Sequence, residues 1–279
     1  MIGVIDLSYS VHSILWYCSN IYLINNRLSL SNMENNVTLI TGSAKRIGAH
    51  TARYLHSFGS NIVVHCNESR LEAEKLCLEL NQIRTKSAML VQGDLSDLSS
   101  VERIGQQAID SFGRLDVLIN NASSFYPTPV GTIKEKDWQS LIGSNMQGPL
   151  FLSQYCAPTL AENAGAIINM VDIHAARPLK DHTLYCMAKS ALVTMTQSLA
   201  LELAPDIRVN GVAPGAILWP DMKMNEEDKQ QILNQVPAQR LGNMQDIAHA
   251  IKFLIEATYV SGQIIAVDGG RSISSYTKG

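Results

Sequence analysis

The chain has 279 residues, 46% of them hydrophobic and 17% charged, with a net charge of −3 and a pI near 6.2. That balance can bury a sizeable core and excludes a disordered chain, while the acidic pI and the lack of a basic run exclude general attraction to nucleic acid or to an anionic membrane surface. The five cysteines are scattered, with no Cys-x-x-Cys pair and no metal-ligand spacing. Buried apolar thiols, no metal and a reducing, cytoplasmic compartment are the expectation.

Residues 1–32 contain Ile14-Leu-Trp-Tyr-Cys18 and Ile21-Tyr-Leu-Ile24 but share no pattern with the rest of the chain. No Lys or Arg precedes this apolar stretch, and Ser19 and Asn20 interrupt it, so neither a signal peptide nor an anchor is expected. Met33 stands four residues before the first predicted strand. Translation is expected to start there, which makes 1–32 an extension outside a single domain of 33–279.

From residue 37 onward, short apolar β-branched runs at 37–41, 61–66, 88–92, 117–120, 166–171, 208–213 and 263–267 read as strands. Helical spacing falls between them, over 46–58, 71–83, 101–112, a long segment ending near 161, 185–203 and 244–255. The repeated βαβ order predicts one Rossmann-type, doubly wound α/β domain, a seven-stranded parallel sheet with helices on both faces. Residues 218–241 interrupt the rhythm as an irregular substrate loop, whose Trp219, Met222 and Met224 either close over a planar ligand or pack the loop down.

Chemistry begins at Thr41-Gly-Ser-Ala-Lys-Arg-Ile-Gly48, a turn between a strand and a helix. There, backbone N–H groups and a helix N-terminus can hold a pyrophosphate, so Gly42, Lys45, Arg46, Ile47 and Gly48 are candidate cofactor contacts. The second strand ends in His65-Cys-Asn-Glu-Ser-Arg70. With Cys66 or Asn67 at the position that would meet the ribose, and Lys45, Ser69 and Arg70 available for a 2′-phosphate, NADPH is favoured; an inward Glu68 would favour NADH instead. Tyr185 and Lys189 share a helix face, where an ammonium can favour the phenolate of a catalytic tyrosine.

Together with Gly93-Asp-Leu95, Asn120-Asn-Ala122, Asn145, Val212-Ala-Pro-Gly215 and Val267-Asp-Gly-Gly270, these motifs resemble the short-chain dehydrogenase/reductase family throughout 37–272. The resemblance implies a tetramer, Asp94 and Leu95 near the adenine, and Asn121, Ala122, Ser123, Pro214 and Gly215 along the cofactor. It also implies Asn145 in a proton relay with Tyr185 and Lys189. Two departures stand out: Arg46 replaces a glycine, and Asp172, thirteen residues before Tyr185, replaces a serine. With Asn121-Ala-Ser-Ser-Phe-Tyr-Pro-Thr-Pro129, they resemble the pteridine reductase branch, which reduces pterin or folate rings. That likeness implies Phe125 stacked on the substrate, Ser123 and Arg46 on its polar edge, and Asp172 with Tyr185 delivering protons. A carboxyl beside a basic heterocycle suits protonation at nitrogen, whereas a Ser/Tyr pair suits a ketone. Dihydromonapterin reduction, an oxoacyl or other carbonyl reductase, and a non-catalytic nucleotide-binding regulator remain as alternatives. His174 and His182 flank these residues without an assigned task.

Overall fold

A computed structural model describes residues 33–219 and 225–274. The extension 1–32, with Cys18, and the loop residues Met222 and Met224 lie outside the described residues. Seven strands form one sheet: β1 (Val37–Ile40), β2 (Asn61–Cys66), β3 (Ala88–Gln92), β4 (Val117–Asn120), β5 (Ala166–Met170), β6 (Arg208–Pro214) and β7 (Ile264–Val267). Their order is β3-β2-β1-β4-β5-β6-β7 and every pairing is parallel. The order reverses between β1 and β4, the switch point at which a doubly wound sheet opens a crevice beyond its strand ends.

The apolar runs are buried on both faces because successive side chains point to opposite sides. Ile40, Val64, Ile119 and Ile168 pack with Leu55, Leu76 and Leu254 on one side. Their strand neighbours Leu39, Val63, Leu118 and Ile167 pack with Leu152, Cys156 and Leu160 on the other. Each such aliphatic side chain contributes roughly 1.5–3 kcal/mol on burial. Only the edge strands β3 and β7 depart, with half-exposed residues, because each has a neighbour on one side alone. Cys66, Cys77, Cys156 and Cys186 are free and buried.

Helices α1 (Arg46–Ser57), α2 (Arg70–Ile83), α3 (Leu98–Asp110), α4 (Glu135–Ile142), α5 (Gly148–Glu162), α6 (Thr183–Glu202), α7 (Glu226–Asn234) and α8 (Met244–Glu256) cover the sheet. Caps explain where the sequence boundaries differ. Asp97 accepts from the Ser99 amide and starts α3 three residues before the expected 101. The long segment before 161 divides into α4, a π-turn at Gly143–Gln147 and α5. Nor is 218–241 irregular throughout: Asn225 Oδ1 accepts from the Asp228 amide at 2.7 Å and three acidic residues fill the first turn of α7. α7 buries no residue, so no apolar stripe announced it. Among the described residues, no helix is long and apolar enough to cross a membrane, and no group of three His, Cys, Asp or Glu could hold a metal.

Candidate active site

Beyond β1 the chain turns at Gly42 with φ +61°, a conformation that glycine adopts at no steric cost. The turn presses on the end of β4: a Cβ on Gly42 would lie 2.8 Å from Ala122 Cα, and one on Gly48 2.7 Å from Asn121 Nδ2. Asn121 Nδ2 donates to the carbonyls of Thr41 and Gly42 at 2.8 and 3.1 Å, and Thr41 Oγ1 accepts from the amides of Asn121 and Ala122. These two residues therefore shape the turn as well as face the cleft. Arg46 opens α1 at φ +53°. A side chain in that region costs about 1 kcal/mol relative to glycine, the residue the family pattern has here.

Sequence reasoning missed the structural part played by His65. Its buried imidazole accepts from the Gly42 amide at Nδ1 (3.1 Å) and donates from Nε2 to the Gly93 carbonyl (3.0 Å). Burial lowers its pKa to about 4, against the smaller opposing influences of Gly93 and Asp94, so the ring is neutral near pH 7. A histidine inside the apolar run Val63-Val64-His65-Cys66 was the available signal, since a buried polar side chain needs partners. The cations expected at a 2′-phosphate are engaged at the surface: Lys45 pairs with Glu72 at 2.8 Å, and Arg70 with Glu74 at 2.7 Å and Gln92 at 3.1 Å. Such exposed pairs are worth about 0–1 kcal/mol and exchange readily for a doubly charged phosphate.

At the other end, Asp172 leaves β5 and Tyr185 and Lys189 come from α6. Tyr185 Oη donates to Asp172 Oδ2 at 2.7 Å. Burial first, then the Asp172 charge and this hydrogen bond, push the phenol pKa well up. The expected phenolate-favouring action of Lys189 is thus not the dominant influence: a nearby carboxylate and the loss of solvent hold the proton on the tyrosine. Lys189 donates to the Met170 carbonyl at 2.8 Å and sits 5.7 Å from the centre of the Tyr185 ring. Complete burial lowers its pKa to about 8, with Asp172 opposing.

Asn145 stands on the π-turn, and its side chain is hydrogen-bonded to the strand-end segment and to α4. Its Oδ1 accepts from Ser123 Oγ at 2.6 Å, and its Nδ2 donates to the Ser124 and Leu141 carbonyls, both at 2.9 Å. It holds the strand-end segment on which Phe125 stands. Phe125 is 53% exposed, meets the Tyr185 ring edge-on at 4.8 Å and stacks on His182 at 4.7 Å. Asn120 serves the interior, bonding Asn169 and Ser153.

One cavity of about 1450 Å³ lies over the switch point. Gly42, Lys45, Arg46, Ile47, Gly48, Ser69, Asp94, Leu95, Asn121, Ala122, Ser123, Phe125, Asp172, Tyr185, Lys189, Pro214 and Gly215 all line it; Asn145 stands behind the wall. Trp219 joins them, with Lys229 of α7 5.9 Å from the centre of its ring. A long, half-open groove with a glycine turn and helix N-terminus at one end fits a dinucleotide with space for a planar ring beside Tyr185.

Comparison with known proteins agrees with this arrangement. A family model described as "Enoyl-(Acyl carrier protein) reductase" matches residues 42–272. The chain is 38% identical to pteridine reductase 1 of Leishmania tarentolae over 280 residues, covering 85% of this chain and 96% of that protein. It is 34% identical to the 3-oxoacyl-[acyl-carrier-protein] reductase FabG of Staphylococcus aureus over 238 residues, covering 83% and 96%.

Proposed function

The chain belongs to the short-chain dehydrogenase/reductase family of oxidoreductases, and from that premise we propose that it is an NADPH-dependent pteridine reductase. Its substrate is then a dihydropterin or dihydrofolate, reduced to the tetrahydro form. The observation that carries this reading is the 2.7 Å hydrogen bond from Tyr185 to Asp172. When bound, the nicotinamide supplies the hydride to a ring carbon. Reduction of C=N also requires a proton at nitrogen, and the buried Tyr185, hydrogen-bonded to a half-buried Asp172, is an acid already loaded with one. A ketone reductase has instead to polarise a carbonyl oxygen, for which a carboxylate is the wrong charge.

The remaining residues support the same task. Phe125 offers an aromatic face above the cavity, against which a flat heterocycle stacks. Ser123 Oγ, oriented by Asn145, and the guanidinium of Arg46 address the ring's polar edge. An arginine kept at a left-handed position despite its cost supports a ligand-binding task. NADPH is favoured over NADH because Lys45 and Ser69 line the β2 end of the cavity, with Arg70 next in the chain, although Glu68 lines it too.

Self-association into a homotetramer belongs to the same proposal. Phe151 on α5 and Met187 and Leu201 on α6 are exposed in the single chain although both helices are apolar on most sides, and a second copy would cover them. Free, buried cysteines fit a cytoplasmic setting. The direct test is a spectrophotometric panel following NADPH oxidation with dihydrobiopterin, dihydromonapterin, dihydrofolate and an acetoacetyl thioester. Turnover of the pterins is expected. Robust thioester turnover with none of dihydrobiopterin overturns the reading, and light scattering checks the tetramer.

A further inference from the structure

We propose that His65 is a positioning residue for the nicotinamide cofactor, a neutral strut that locks the glycine turn to the end of β3 and so sets the adenosine half of the cleft. The inference rests on the reading that this cavity holds a nicotinamide dinucleotide, and not on which ring is reduced.

Three chain segments meet at this point. The Ser43 amide donates to the His65 carbonyl at 2.9 Å, and the His65 amide donates to Ser43 Oγ at 3.1 Å, joining the glycine turn to β2. The Gly93 amide donates to the Cys66 carbonyl at 3.0 Å, joining the end of β3 to β2. The imidazole joins the two outer segments directly: Nδ1 accepts from Gly42 and Nε2 donates to Gly93. One ring thus contacts both the turn that faces the phosphates and the residue just before Asp94-Leu95, the pair at the adenine end of the cavity.

The bonds require one tautomer, with the proton on Nε2. Gly42 cannot turn its amide outward while it donates to His65, so this N–H shapes the turn and is not a phosphate donor. Around it there is little slack, because a Cβ on Gly93 would lie 2.4 Å from Ser100 Oγ and the Asp94 amide already donates to that hydroxyl at 3.0 Å. Loss of the imidazole orphans two partly buried backbone groups, which then recruit water or swing toward the cleft.

Replacement side chains separate the two bonds. Asn Oδ1 can stand where Nδ1 stands, and Gln Nε2 where the ring Nε2 stands, so His65→Asn keeps the Gly42 bond, His65→Gln keeps the Gly93 bond and His65→Leu keeps neither. The dissociation constant for NADPH and NADH is measured by nucleotide fluorescence on each variant, with kcat, substrate KM and Tm alongside. Losing the partner of a partly buried amide that shapes the turn is expected to weaken binding by about tenfold. The expected order of weakening is Leu, then Gln, then Asn, with kcat at saturating cofactor within about twofold of wild type. Wild-type cofactor affinity in His65→Leu overturns the proposal, as does a loss confined to kcat or one that simply tracks Tm across the three variants. If the unmodified protein binds neither nucleotide, the cofactor reading itself falls.

Discussion

The two ends of the cleft are built by opposite means. At the phosphate end, backbone turns do the shaping: a Cβ on Gly42 or Gly48 would come within 2.7–2.8 Å of its neighbours, so no side chain fits there, and Lys45 and Arg70 form exposed ion pairs. At the end proposed to react, side chains do the shaping, and Tyr185, Lys189 and Asn145 are buried: Tyr185 on Asp172, Lys189 on the Met170 carbonyl, Asn145 on Ser123. Charges in water are screened and interchangeable, whereas buried ones shift one another's proton affinity strongly. Substitutions at the reacting end should therefore alter the chemical rate or substrate binding, and those at the phosphate end should alter cofactor affinity.

The sharpest way to break that division is Tyr185→Phe. Removing the proposed proton donor should lower kcat by about 1000-fold with cofactor affinity unchanged, as single-turnover and binding measurements would show. A variant that instead lost cofactor would falsify the division. Asp172→Asn keeps the shape but removes the charge, and about 100-fold less pterin reduction is expected. Phe125→Ala should act mainly on substrate binding, raising KM about tenfold while kcat changes little, because a lost stacking partner is worth roughly 0.5–1.5 kcal/mol.

Lys189 ties the reacting end to pH. Its folded pKa is about 8 against an ordinary 10.5, so it is an ammonium below pH 8 and neutral above it. If the ammonium is needed beside Tyr185, kcat falls as pH rises through about 8, and Lys189→Met abolishes that step. Stability runs the other way. Between about 8 and 10.5 the unfolded chain binds a proton that the folded chain does not, so unfolding becomes less favourable as pH rises over this window. Urea titrations at several pH values check the sign. The smallest effect is expected at the exposed phosphate end, where Glu68→Arg should improve the NADPH-to-NADH preference only severalfold.

Much of the fold was legible because its signals are local. Unbroken apolar runs and helical spacing marked all seven strands and most helices, and the turn at Gly42 announced itself by its neighbours in the chain. The features that escaped were set by caps and by distance. α7 begins at the Asn225 cap and has no apolar face, while the π-turn within the long helical segment carries Asn145 to the Ser123 hydroxyl. Residue identity suggested that Tyr185 and Lys189 act together, but the direction of the tyrosine shift depended on how far the phenol was removed from water and on a carboxylate thirteen residues away.

By itself the sequence determined the doubly wound sheet, the glycine turn and the set of side chains brought to the cleft, since each arises from short-range pattern and steric permission. The tertiary structure alone decided which of them touch: His65 bridging Gly42 and Gly93, Asn145 standing behind the wall, and Tyr185 holding its proton against Asp172. Hydrogen bonds and burial between residues far apart in the chain set those roles; local sequence can flag a polar residue in an apolar run, as at His65, but not its partners.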